Sequence, residues 1–186
     1  MNHSRTKEMT LVALFVALIA IGAFIRIPIP YVPFTLQFLF TMLAGLLLGG
    51  KLGAIAVGVY IILGLLGLPI FAQGGGIAYV LQPSFGYIIG FAAGAYVTGI
   101  IANKDSVPGI KRLLAANFIG LGIVYLFGMV YYYIISKFYL GNPIGLWPLF
   151  LYCFVLAVPG DIVLCVLGAL LSKRMIPIMK AERYIT

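Results

Sequence analysis

From Gly64 to Phe91 the chain reads GLLGLPIFAQGGGIAYVLQPSFGYIIGF, with no charged residue in it. Three consecutive glycines (Gly74, Gly75, Gly76), two prolines (Pro69, Pro83) and two tyrosines (Tyr79, Tyr87) stand here between apolar runs. A lipid-facing loop of this kind would leave its backbone N–H and C=O groups without partners. Irregular backbone near a membrane is tolerated where it is packed inside protein or lines a cavity. The stretch is therefore expected to form the lid or wall of a small-molecule pocket framed by transmembrane helices.

The class follows from the balance of apolar and charged residues. The chain is 63% hydrophobic and 9% charged, with a mean hydropathy of +1.17, a profile of integral membrane proteins. Its 186 residues give one domain, 1–186, with room for about five to seven helices of roughly 20 residues each. The net charge of +8 would suggest nucleic acid in a soluble protein. Here no polar surface exists on which to lay a phosphate groove, so no nucleic-acid partner is expected and the basic residues belong at one face of a lipid bilayer. Cys153 and Cys165 lie in apolar runs without partner spacing, which reads as buried packing rather than as a disulfide or a metal site.

In chain order, the uncharged run Met9–Ile25 is read as an uncleaved first membrane helix. Ala20 and Ala23 could pass for a signal-peptidase site, but the run is long for a signal peptide and Arg26 follows directly. The proline-rich segment from Ile27 to Phe34 cannot continue a helix and forms a first loop. Further helices are expected from Thr35 to Gly49, from Leu52 to Leu66, from Pro83 or Ser84 to just before Asn103, and from Leu113 to Ser136. The last apolar stretch, Leu146 to Ser172, is interrupted by Pro159-Gly160-Asp161, which argues for a kink or for a short outer helix leading into the final span. The tail from Ser172 onward is basic and polar.

Six crossings put Arg5, Lys7, Lys51, Lys104, Lys111, Arg112, Lys173, Arg174, Lys180 and Arg183 on one side and Arg26 and Lys137 on the other. By the excess of cytoplasmic Lys and Arg, both termini are expected in the cytoplasm. The first, third and fifth loops then share the external face with Asp161. Counting back from Lys173 at ~1.5 Å per residue places Asp161 roughly 18 Å above the inner interface, below the outer surface. An ionisable group at that depth usually faces a cavity or a partner. Capping of the last helix is the other reading of the same residue.

Gln37, Tyr79, Gln82 and Tyr87 supply neutral donors and acceptors among Phe34, Phe71, Phe85 and Trp147, the make-up of a small-ligand pocket. On the first helix, Ala13, Ala17 and Ala20 form a flat strip that lets another helix approach closely, within this chain or from another. Enzymatic readings fare poorly. The one histidine is His3, near the N-terminus, and no G-x-S-x-G, H-E-x-x-H or Walker A sequence is present. No metal or other cofactor is expected, and active transport would need an ATPase supplied by another subunit.

IPIPYVPFTLQ after the first helix, GLPIFAQGGGIAYVLQPSFGYIIGF after the third and VPGD near the start of the last resemble, in order and spacing, the biotin-specific substrate-binding subunits of energy-coupling factor (ECF) transporters, the BioY family. The resemblance spans essentially the whole chain. It implies an all-α integral membrane protein with the six-helix S-component fold, a biotin site on the outer side, and assembly with a transmembrane coupling subunit and two ABC-type ATPases. By the same resemblance Thr35, Gln37, Gly74, Gly75, Gly76, Tyr79, Tyr87 and Asp161 fall at positions around the ligand, and Ala13 and Ala17 face the coupling subunit. Where such proteins often carry a lysine three residues after the aspartate, this chain has Leu164.

The chemistry of biotin suits the residues present. Asp161 can accept from a ureido N–H, Gln37 or Tyr79 can pair the rest of that ring, and phenylalanines can cover the thioether ring. The valerate is expected to point away from Asp161, toward the N–H groups of Gly74–Gly76 or toward Arg26. The alternative is a stand-alone biotin facilitator or a secondary vitamin transporter. Such folds usually show an internal repeat, and none is found here.

Overall fold

The computed structural model describes residues 3–28, 32–105 and 107–181. It is a helical bundle built of α1 (His3–Phe24), α2 (Gln37–Leu48), α3 (Gly50–Leu65), α4 (Phe85–Ala102), α5 (Ile110–Phe138), a short α6 (Leu146–Phe150) and α7 (Val158–Ala181). A two-residue antiparallel ribbon, β1 (Arg26–Ile27) with β2 (Phe34–Thr35), bridges α1 and α2. The expected first loop is thus pinned at its base by pairing of Arg26 with Thr35 and of Ile27 with Phe34. Its central residues, 29–31, lie outside the described residues.

Four helical stretches are long and apolar enough to cross a membrane: Arg5–Phe24, Phe85–Ala102, Ile110–Phe138 and Leu146–Ala181. The other two expected crossings, α2 and α3, have 12 and 16 residues. At ~1.5 Å per residue they reach ~18 and ~24 Å, short of a hydrocarbon core ~30 Å thick. The length matters less for α2 because it is wrapped by other helices: ten of its 12 residues are buried. The periphery of the bundle is apolar and exposed. Only 28% of the membrane-length window of α1, and the same share of Leu146–Ala181, is buried, against 61% for α4.

The last stretch departs from its expectation in detail. The chain leaves α6 through a π-helical turn, Leu151–Val155, and α7 starts only at Val158. The interruption therefore precedes Pro159-Gly160-Asp161, which forms the first turn of α7. Proline is tolerated there because the first-turn N–H groups have no helical acceptor to lose. The helix also runs past the expected end at Ser172 to Ala181, carrying Pro177 inside it, so the basic segment Lys173–Lys180 is helical rather than a loose tail.

The ends of the helices gather the irregular segments. The ribbon, the segment between α3 and α4, and the α6–α7 junction all lie where α2, α4 and α7 begin. The opposite end holds the short α2–α3 turn at Gly49 and the 103–109 loop, where Arg112 pairs with Asp105.

Candidate ligand-binding cavity

At the irregular end, the first turns of α2, α4 and α7 and the middle of α5 surround a cavity with about 670 Å³ of atom-free space, its open mouth included. Its apolar wall includes Phe34, Phe38, Ile88, Phe91 and Val124. Among its polar groups are Thr35, Gln37, Tyr79, Ser84, Tyr87, Tyr125, Tyr152 and Asp161.

Asp161 sits one turn into α7 and is 8% exposed. Its Oδ2 accepts a hydrogen bond from Tyr125 Oη of α5 at 2.5 Å. The capping reading predicts a carboxylate turned back onto its own helix. Instead the carboxylate meets a side chain of another helix and lines the cavity. Next to it, Gly160 lets the Phe34 ring approach closely: a Cβ there would come within 2.7 Å of that ring. The ring of the ribbon thus rests on the first turn of α7.

The π-helical turn has a chemical consequence. Leu156 N–H donates to Leu151 O, and Ala157 N–H turns to Phe154 O. The carbonyl of Cys153, which Ala157 would serve in a regular α-helix, accepts instead from Tyr87 Oη of α4 at 2.9 Å. The turn is thereby tied to the cavity wall.

Gln37, in the first turn of α2, links the cavity to the glycine-bearing segment. Its Nε2 donates to Tyr60 Oη of α3 at 2.6 Å, and Tyr60 Oη donates to Ile70 O at 2.9 Å. Thr35 Oγ1 donates more weakly to Gln37 Oε1, at 3.4 Å. From β1, Arg26 Nη1 donates to the carbonyl of Ala72, a cavity-lining residue of that segment, and Tyr131 Oη of α5 donates to Val80 O.

The segment itself is ordered by three devices. Phe71 and Gly74 exchange backbone hydrogen bonds, Gly76 N–H donates to Gly64 O at 2.7 Å, and Ile77–Leu81 forms one 3₁₀ helix. Gly74 and Gly76 have φ of 121° and 98°, a region that favours glycine. Beneath the segment, the Phe71 ring packs edge-on to Tyr60 at 5.3 Å and against Tyr79 at 4.5 Å. Burial raises the Tyr79 phenol above its ordinary pKa. At neutral pH Tyr79 is therefore a neutral hydroxyl that can donate.

Of the residues expected around a ligand, Thr35, Gln37, Tyr79, Tyr87 and Asp161 come together in this cavity. Gly74, Gly75 and Gly76 lie outside its lining and serve the turn that carries Ala72 and Tyr79. Gln82 is exposed, just after the 3₁₀ helix, and points to no part of the lining. Trp147, expected among the pocket aromatics, is 69% exposed and rests on Phe150. Phe71 and Phe85 support Tyr79 from outside the lining. Four lining residues had no signal as site residues in the sequence: Ser84, Tyr125, Tyr152 and Cys153. Tyr125 and Tyr152 stand in uninterrupted apolar runs among twelve tyrosines, where an interfacial anchor reads the same way.

Residues 1–181 match the model of the BioY family. The chain belongs to that family. Among its BioY relatives, the probable biotin transporter BioY of Lysinibacillus sphaericus is 44% identical over 185 residues, covering 100% of this chain and 94% of that one. The biotin transporter BioY of Rhizobium etli is 35% identical over 182 residues, 90% of this chain and 92% of the relative. The fold matches a crystal structure of the S-component for biotin from an ECF-type ABC transporter, with a TM-score of 0.79, 28% identity and coverage of 94% of this chain and 93% of that one. This BioY-family chain is accordingly an all-α, multi-pass membrane protein whose relatives are transporters, not enzymes.

Proposed function

We propose that this chain is the biotin-binding S-component of an ECF-type importer, holding biotin in the cavity between α2, α4, α5 and α7. The observation that carries the reading is the pairing of a buried acceptor, Asp161, with neutral donors in an apolar chamber, within a fold shared over 94% of the chain with an S-component for biotin. A carboxylate accepts and does not donate. It suits a ureido ring, which offers two N–H groups. Gln37 and Tyr79 pair the remaining edge of that ring, and Phe34, Phe38 and Phe91 cover the thioether ring. The ligand's own carboxylate lies near the mouth, toward Arg26.

In this reading the cavity end faces outside and both termini face the cytoplasm. Biotin is captured from the exterior and delivered when the protein reorients against a coupling subunit driven by two ATPases. Ala13 and Ala17, both exposed, line a long apolar groove between α1 and α3 together with Val12, Val16, Ile55, Val59 and Leu63. Small residues on one side of such a groove let a partner helix approach closely, which supports contact with the coupling subunit there.

The test is calorimetry on purified protein in detergent. The parent is expected to bind biotin, and Asp161→Asn and Tyr79→Phe each to bind it about tenfold more weakly or worse, since a hydrogen bond to a buried polar group is lost. Unchanged affinity in both variants would remove these residues from the site.

A further inference from the structure

We propose that Tyr125 is a positioning residue that selects the ligand through Asp161, by fixing the plane of its carboxylate. The proposal rests on the reading that Asp161 meets the ligand. The terminal torsion of an aspartate is broad and nearly two-fold, so a carboxylate held only by its stem presents either oxygen over a range of directions. Here one oxygen is taken. Tyr125 Oη donates to Oδ2 at 2.5 Å, and both residues line the cavity.

The hydroxyl is aimed by its ring. The Tyr125 ring meets Phe154 edge-on at 4.9 Å and Tyr87 edge-on at 6.0 Å. Tyr87 does not compete for the carboxylate, because its own hydroxyl donates to Cys153 O. No described cation pairs with Asp161: the position one turn on is Leu164, and the ion pair between Arg112 and Asp105 stands at the other end of the bundle. The carboxylate is therefore oriented by a neutral donor.

This restricts the ligand. One lone pair of Oδ2 is engaged, so Oδ1, with both of its lone pairs open in the plane that Tyr125 fixes, is the better acceptor for an incoming N–H or O–H. The site then favours a cyclic urea entering by its N–H edge and rejects the same ring once that nitrogen is methylated. Removing the Tyr125 hydroxyl frees the carboxylate to turn, so affinity for the urea and discrimination against its methylated form fall together.

The experiment measures binding of biotin, and of biotin methylated on one ureido nitrogen, to the purified full chain. The proteins compared are the parent, Tyr125→Phe, Asp161→Asn and the double variant Tyr125→Phe/Asp161→Asn. Phenylalanine keeps the ring contacts and loses only the donor. Tyr125→Phe is expected to lose about tenfold in biotin affinity and to narrow the ratio between the two ligands, and the double variant to bind as Asp161→Asn does. Parent-like binding by Tyr125→Phe would overturn the proposal. So would an unchanged ratio between the two ligands, or a loss repeated in full on the Asp161→Asn background, because the hydroxyl would then act through something other than the carboxylate. Parent-like binding by Asp161→Asn alone would instead remove the underlying role of Asp161, and is read separately in that arm.

Discussion

Gly160 shows how a single missing methyl group can matter to a cavity. The Phe34 ring lies where a Cβ at 160 would go, within 2.7 Å. Gly160→Ala must push that ring off the first turn of α7, and overpacking of this kind costs about 1–3 kcal/mol. The expected outcome is a lower thermal midpoint together with weaker biotin binding, since the displaced ring is part of the wall. A variant with both properties unchanged would mean that the ribbon moves aside freely. Such single-residue roles were partly legible in the sequence. Asp161 stood out because an acid at membrane depth is rare, and Tyr79 because it followed three glycines. Tyr125 was hidden, since its value comes from what α7 brings opposite it and not from its neighbours in the chain. Gln82 was misleading for the converse reason: its polar side chain adjoins the right segment but is turned outward by the end of the 3₁₀ helix.

Among the elements, the helices were readable because apolar runs and their punctuation are local properties. Gly49 and Asn103 mark ends that the structure keeps. The α6–α7 junction was not readable to the same degree. Pro159 announces a break, yet a proline in a first turn breaks nothing, and the interruption falls upstream in a π-helical turn that no residue type signals. The brevity of α2 was equally hidden, because full burial by neighbouring helices is a tertiary property. The glycine-bearing segment owes its order to bonds from distant elements, above all the chain from Gln37 through Tyr60 to Ile70 O. Tyr60→Phe keeps the ring against Phe71 and cuts that chain. Hydrogen exchange of the amides at residues 70–76 is expected to quicken by about tenfold, in line with a lost hydrogen bond of about 1 kcal/mol or somewhat more. Unaltered exchange would show that Phe71 packing alone holds the segment.

At the scale of the whole molecule, the cavity and the α1–α3 groove are separate surfaces on the same bundle, joined through α3 and the segment that follows it. Ile70 belongs to both: it lines the groove, and its carbonyl receives the Tyr60 hydroxyl that leads back to Gln37 in the cavity. Bulk placed in the groove should therefore separate the two jobs of an S-component. Ala13→Trp/Ala17→Trp is expected to retain biotin binding in detergent and to abolish uptake into cells that carry the ATPases. Equal loss of binding and uptake would point to misfolding. Uptake by the parent in cells without any ECF ATPase would favour the stand-alone facilitator instead. The clasp between Arg26 and the glycine-bearing segment has one more implication. It grips an oxygen of the peptide chain and not a side chain, so position 72 is free to drift over evolutionary time without loosening it. Position 26 has no such freedom, because no change at 72 can compensate for a lost guanidinium.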